Sequence, residues 1–214
     1  MQASARSPLA IAIFVALAFV WAWAIGFVAT RVEAELPALN VALMMGAGFG
    51  PSLAGLATVA FFSDRAGLRA WGARCLNWRV HWRWFVLAFL APPVVMVAAL
   101  AVDVAMGGTL PPFPAAAHIP LAVGNFGLVL LVGGPLGEEF GWRGYLMPAL
   151  TARMNWRAAS LGIGLIWGCW HLPLFFLAGT PQAYMPIPIF LLNILAGSVL
   201  FGWLFERTRG SVLP

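Results

Sequence analysis

Lysine is absent from the 214 residues, cysteine occurs twice, histidine three times, and charged side chains make up only 9%. So little charge, beside 62% hydrophobic residues and eleven tryptophans, excludes an ordinary soluble globular composition. The two cysteines, Cys75 and Cys169, form no CxxC pair and have no metal-site spacing, so both read as free thiols. There is no internal repeat, no low-complexity tail and no matching pair of broken spans, which speaks against a transporter. The formal charge of +5 rests on twelve arginines. They lie at the ends of apolar runs, a pattern of membrane topology, and no nucleic-acid partner is expected.

What remains is a chain of apolar runs, several of which reach the roughly 20 residues needed to cross a bilayer core. The expected fold is all-α: a polytopic transmembrane helical bundle in one membrane-embedded domain over 1–214, with about six spans. The first covers about 8–30, too long for the apolar part of a signal peptide, so it reads as a retained span. A polar link with Arg31, Glu33 and Glu35 leads to the second, about 39–62, rich in small residues that allow close helix packing. Residues 63–84 interleave Arg65, Arg69, Arg74, Arg79 and Arg83 with Trp71, Trp78, Trp82 and Trp84, the composition of an amphipathic segment on the membrane surface.

The third span, about 85–106, should kink at Pro92-Pro93 and carries Asp103 near its far end. The link 107–120 contains Pro111-Pro112-Phe113-Pro114, a rigid extended loop, with His118 as a loop histidine. A fourth run, about 121–150, would be roughly 45 Å long as one helix, so it should tilt or bend at Gly133-Gly134-Pro135. The fifth and sixth spans cover about 158–178 and 187–205, separated by the turn residues Gly179-Thr180-Pro181. With a cytoplasmic N-terminus, ten arginines fall on the cytoplasmic side, Arg31 outside and Arg143 within the membrane, which satisfies the positive-inside rule. A cell-membrane, multi-pass location follows.

One stretch breaks the apolar pattern: Glu138-Glu139 followed by Arg143. An ionised group in the bilayer costs roughly 2.5–3.5 kcal/mol on insertion scales, so such residues pair, do chemistry, or both. Glu139 and Arg143 stand at i and i+4, the favoured ion-pair order. Glu138 is turned by about 100° from Glu139 and is the carboxylate left over for a cavity, where a general base would sit. In antiparallel hairpins, residues at one depth are centred on the turn. Glu138 and His171 are centred between Met154 and Asn155, and His171 and Asn193 on Gln182, both in polar turns. Glu138, His171 and Asn193 therefore share a depth on three consecutive spans, and Glu138 with His171 could activate a water with or without a metal.

Each residue also has a simpler role. The acid–arginine cluster serves as an interhelical bridge, His171 and Trp167 as packing residues, and Asn193 as a hydrogen-bonding tie between helices. Gly134, Gly137, Gly141 and Gly144 recur at helix-neighbour spacing, which lets another backbone approach.

Glu138-Glu139-x-x-x-Arg143 followed by Trp167-x-x-x-His171 resembles the CPBP family of intramembrane proteases, which comprises CAAX prenyl endopeptidases and bacteriocin-processing or self-immunity proteins and is also called the ABI family. Gly141-Trp142-Arg143-Gly144-Tyr145-Leu146, Trp170-His171-Leu172-Pro173-Leu174-Phe175 and Asn193-Ile194-Leu195-Ala196-Gly197-Ser198 are similar to bacterial members, and the resemblance runs from about residue 131 to 214 within a motif-bearing core of about 121–214. It implies an intramembrane endopeptidase acting on a peptide or protein substrate, lipidated in the CAAX class, with Glu138 and His171 as catalytic residues. Glu139, Arg143, Trp167 and Asn193 are in supporting positions. Members are described both as metalloproteases and as metal-independent glutamate proteases, so the resemblance allows one divalent ion such as zinc on Glu138 and His171. Two departures stand out: Trp167 replaces a usual phenylalanine, and the family's last motif, His-x-x-x-Asn on a later span, is missing. Ser211-Val212-Leu213-Pro214 reads as the start of such a seventh span, cut short. A non-catalytic protein of the same fold, acting in peptide binding or self-immunity, is the alternative.

Overall fold

The computed structural model describes residues 4–32, 36–110, 112, 118–132, 134–177 and 179–213. Glu33, Glu35, Gly133, Ala178, Pro214 and, in the proline-rich loop, Pro111, Phe113 and Pro114 lie outside the described residues. Among the described residues the regular structure is helical, with no strand. Helix α1 (Pro8–Val32) begins with proline at its first position, where the missing N–H costs nothing, and the Ser7 hydroxyl accepts the Ala10 N–H at 3.1 Å.

The second expected span is two helices, α2 (Pro37–Gly48) and α3 (Gly50–Phe62), bent by 43° at Phe49. Pro51 explains the break, because its ring cannot donate into the turn before it and crowds the carbonyl four residues back. Helix α4 (Arg65–Cys75) is capped by Asp64, whose carboxylate accepts the Gly67 N–H at 2.8 Å. It buries Gly67, Trp71 and Cys75 at four-residue spacing and leaves Arg65 and Arg69 exposed, the amphipathic arrangement expected of 63–84. Helix α5 (Arg83–Ala105) continues through Pro92 and Pro93 and buries no residue; Asp103 is exposed near its end. His81 and His118 are exposed as well.

The fourth run departs most from a single helix. It divides into α6 (Ile119–Val132), α7 (Gly134–Gly141), a π-helical turn (Trp142–Leu146) and α8 (Met147–Thr151). Helix α9 (Trp156–Trp170), capped by Asn155, stops earlier than the apolar run that encodes it, and a 3₁₀ turn (Leu172–Phe176) follows. Pro173 sets that end, since the carbonyl of Cys169 faces its ring. Helix α10 (Ile187–Arg207) follows a 3₁₀ turn at Pro181–Tyr184. Among the described residues four segments are long and apolar enough to cross a membrane: α1, α5, Trp156–Phe176 and α10; the bent α2–α3 pair would make a fifth. Length alone therefore does not return six spans, because the second and fourth expected spans are broken into shorter helices.

The core gathers around the π-helical turn. Trp142, Tyr145 and Leu146 are buried there against Phe14 and Ala18 of α1, Val59 of α3, Trp71 and Cys75 of α4, and Ile163 and Trp170 of α9. The most polar stretch of the fourth run is thus held at the centre of the bundle, enclosed by four other helices.

Candidate active site

Helix α7 reaches its place by close backbone approach. A β-carbon on Gly141 would collide with the Pro51 carbonyl oxygen, and one on Gly137 would lie 2.9 Å from that of Gly48. The bend at Phe49 and these glycines therefore fit each other, and the Ser52 hydroxyl fastens the contact by donating to the Leu136 carbonyl at 3.0 Å. The π-helical turn that follows widens the backbone and frees carbonyls that α4 satisfies. The Arg74 guanidinium donates to the Gly144 carbonyl at 2.8 Å, and the Trp71 indole to the Phe140 carbonyl at 3.3 Å. From the far side, the Tyr145 hydroxyl donates to the Ala5 carbonyl at 2.9 Å.

Within this frame the two acids face different partners. Arg143 Nη1 donates to Glu139 Oε1 at 2.9 Å, the pairing expected of the i, i+4 spacing, and the Arg143 side chain is 3% exposed. Its Nη2 donates to the Ser198 hydroxyl of α10 at 3.2 Å, and that hydroxyl donates onward to the Ser160 carbonyl of α9 at 2.7 Å. The guanidinium is also flanked by the rings of Trp167 (5.2 Å) and Phe201 (5.0 Å), a cation–π contact on each. Arg143 is therefore fully engaged by α7, α9 and α10, and Glu139 is neutralised by it.

Glu138 is bound elsewhere. The Trp167 indole N–H donates to Glu138 Oε2 at 2.6 Å. One turn on, His171 Nδ1 donates to the Trp167 backbone carbonyl at 2.9 Å. That bond fixes the proton on Nδ1 in the neutral ring and leaves Nε2 as an acceptor. His171 follows directly on the last residue of α9 and its ring is packed by Trp170 (4.8 Å), Phe190 (5.5 Å) and Trp167 (5.7 Å). Trp170 is itself anchored to α1, donating to Ala18 and accepting at its carbonyl from Trp23. Glu138 and His171 are thus joined through Trp167, and among the described residues no direct hydrogen bond links them.

Asn193 does not join them: it is exposed, and no hydrogen bond of its side chain to another described residue is present. Two physical reasons apply. Phe190 against His171, and Leu195 beside Gly164, centre the α9–α10 hairpin near residue 180, so the register differs slightly from one centred on Gln182. More important, depth says nothing about rotation. On α10 the face of Phe190, Ser198 and Phe201 meets the site, and Asn193 is turned about a quarter-turn from it. The residues that the sequence reading left out are Ser198, which completes the coordination of Arg143, and Phe190 and Phe201, which wall the site. The polar role of Trp167 had one signal available: a buried indole N–H needs an acceptor.

The donor set can be compared with a catalytic zinc site, which takes three protein ligands. Glu139 is committed to Arg143, and His171 Nδ1 to a carbonyl, which leaves Glu138 and His171 Nε2. No group of three His, Cys, Asp or Glu side chains suited to a metal occurs among the described residues. These residues fall one ligand short of such a centre, so no step below is routed through a metal.

Comparison with known proteins bears on the same segment. Residues 120–214 match the family model of type II CAAX prenyl endopeptidases, Rce1-like. That is the part of the chain holding Glu138, Arg143, Trp167 and His171. CAAX prenyl protease 2 of Methanococcus maripaludis is 27% identical over 134 residues, which cover 59% of this chain and 49% of that protein. The chain thus spans about half the length of the curated relative it matches. The CAAX prenyl endopeptidase resemblance rests on both comparisons, while the likeness to bacterial members is not addressed by either.

Proposed function

We propose that this chain is the core of a multi-pass, membrane-embedded endopeptidase of the CAAX prenyl type, with Glu138 as general base. The observation that carries the reading is the division of the acids: Glu139 is neutralised by Arg143, whereas Glu138 is held by one indole N–H and shares Trp167 with His171. A water between Glu138 and His171 Nε2 would give its proton to the carboxylate while its oxygen attacks the scissile carbonyl carbon. The tetrahedral intermediate then collapses, the C–N bond breaks, and the proton passes from Glu138 to the leaving nitrogen. His171 Nε2, an acceptor because Nδ1 is the donor, orients the second hydrogen of that water.

The substrate is a peptide or protein presented from the bilayer, in the class of lipidated C-termini that the matched family's name implies. The arginine distribution supports a cell-membrane protein with a cytoplasmic N-terminus. The experiment is cleavage of a prenylated CAAX peptide, and of the same peptide without its lipid, by the protein reconstituted in liposomes. Mass spectrometry should find one new C-terminus in the lipidated peptide with wild-type protein and none with Glu138→Gln. Binding of the peptide without cleavage by the wild type would move the protein to the peptide-binding or self-immunity class instead.

A further inference from the structure

Trp167 touches every ionisable member of the candidate site except Glu139. Its indole N–H donates to Glu138 Oε2 at 2.6 Å, its backbone carbonyl accepts from His171 Nδ1 at 2.9 Å, and its ring lies 5.2 Å from the Arg143 guanidinium. The ring is itself held in place by Phe201, at 6.1 Å between centroids. Phenylalanine would supply the packing and the cation–π surface but lack the donor. The N–H therefore has a consequence separable from packing. It occupies Oε2 and so restrains rotation of the carboxylate about its last bond.

We propose that Trp167 is a positioning residue for the hydrolytic reaction, one side chain that sets which oxygen of Glu138 takes the proton while its backbone sets which nitrogen of His171 faces the water. The proposal rests on the reading of Glu138 as general base. A displacement of about 1 Å in a reacting group can cost on the order of 10²-fold in rate, and loss of one neutral-to-charged hydrogen bond permits a displacement of that order without opening the fold.

Trp167→Phe should lower kcat roughly 10- to 100-fold with KM for the peptide within about two-fold of wild type. The protein should remain folded, with an unfolding midpoint close to that of the parent. Its direct signature is the indole N–H resonance of Trp167 in ¹⁵N-indole-labelled protein, assigned by its loss in Trp167→Phe or, should that variant not fold, by its through-space contact with the Phe201 ring. That resonance should move in Glu138→Gln, where an amide oxygen replaces the carboxylate, and stay in place in Glu139→Gln. Wild-type kcat in Trp167→Phe, or a Trp167 resonance that ignores Glu138→Gln, overturns the proposal. The two readings fail separately: an active Glu138→Gln enzyme removes Glu138 as base, whereas an inactive Glu138→Gln beside a fully active Trp167→Phe removes only the positioning role.

Discussion

Arg143 offers the sharpest quantitative test of how the centre of this bundle is held together. Replacing it with methionine keeps the length of the side chain and removes the charge. Three attachments disappear together: the 2.9 Å pair with Glu139, the 3.2 Å bond to Ser198, and the aromatic flanks of Trp167 and Phe201. The main cost is what stays behind. Glu139, 16% exposed, would be an acid in the bundle interior with no cation beside it. Breaking a buried pair on one side costs about 3–5 kcal/mol, whereas replacing both partners with uncharged groups costs far less. Arg143→Met should therefore lower the stability of the purified protein by about 3–5 kcal/mol, read as reversible unfolding in mixed detergent micelles. Glu139→Gln with Arg143→Met should recover at least half of that, because no lone charge remains. A loss under about 1 kcal/mol for Arg143→Met, or a double variant whose loss is the sum of the singles, would refute the reasoning.

Two further outcomes follow from other parts of the fold. Gly141→Ala drives a methyl group into the Pro51 carbonyl oxygen, a backbone atom that cannot rotate away, so α7 and α3 must separate by about 1 Å; a loss of roughly 1–3 kcal/mol is expected in the same unfolding assay, and an unchanged midpoint would mean the helices are not in that contact. Burial pushes the Cys75 thiol from 9.0 up to about 12, against the pull of the Arg74 guanidinium. A thiol whose folded pKa lies above its unfolded one stabilises the fold fully below pH 9 and loses that contribution as pH rises toward 12. Wild-type stability should accordingly fall more steeply across that window than that of Cys75→Ala, and parallel curves would show the thiol to be solvated.

The long apolar runs were the most legible part of the sequence. Helices α1, α5 and α10 lie within two residues of 8–30, 85–106 and 187–205, because uninterrupted apolar composition leaves little choice of structure in a bilayer. Less legible were the places where backbone geometry departs from one straight helix. The bend at Phe49 and the end of α9 before Pro173 each follow from a proline whose effect lies several residues upstream of the ring. The π-helical turn at Trp142–Leu146 has no composition of its own, and the donor to its Gly144 carbonyl comes from Arg74 of α4, a tertiary contact. Within the site, the Glu139–Arg143 pair was readable from spacing since both residues lie on one helical face. Hairpin arithmetic yields height along the helix and leaves rotation open, so it does not say that the Asn193 side chain is exposed. Trp167 looked like packing because an aromatic at i−4 from a histidine usually is, and its hydrogen bond depends on the angle at which α7 passes α9.

The central claim is that adjacent carboxylates have different duties, and one comparison addresses it directly: turnover and stability of Glu138→Gln and Glu139→Gln measured side by side on the same lipidated peptide. Glu138→Gln should keep the fold and lower kcat at least 10²-fold, the scale of a general base, whereas Glu139→Gln should weaken the fold and leave turnover of the folded fraction within about ten-fold of wild type, since its carboxylate serves Arg143. An active Glu138→Gln enzyme together with a stable, inactive Glu139→Gln would contradict the account, because it would assign the chemistry to the acid that Arg143 neutralises.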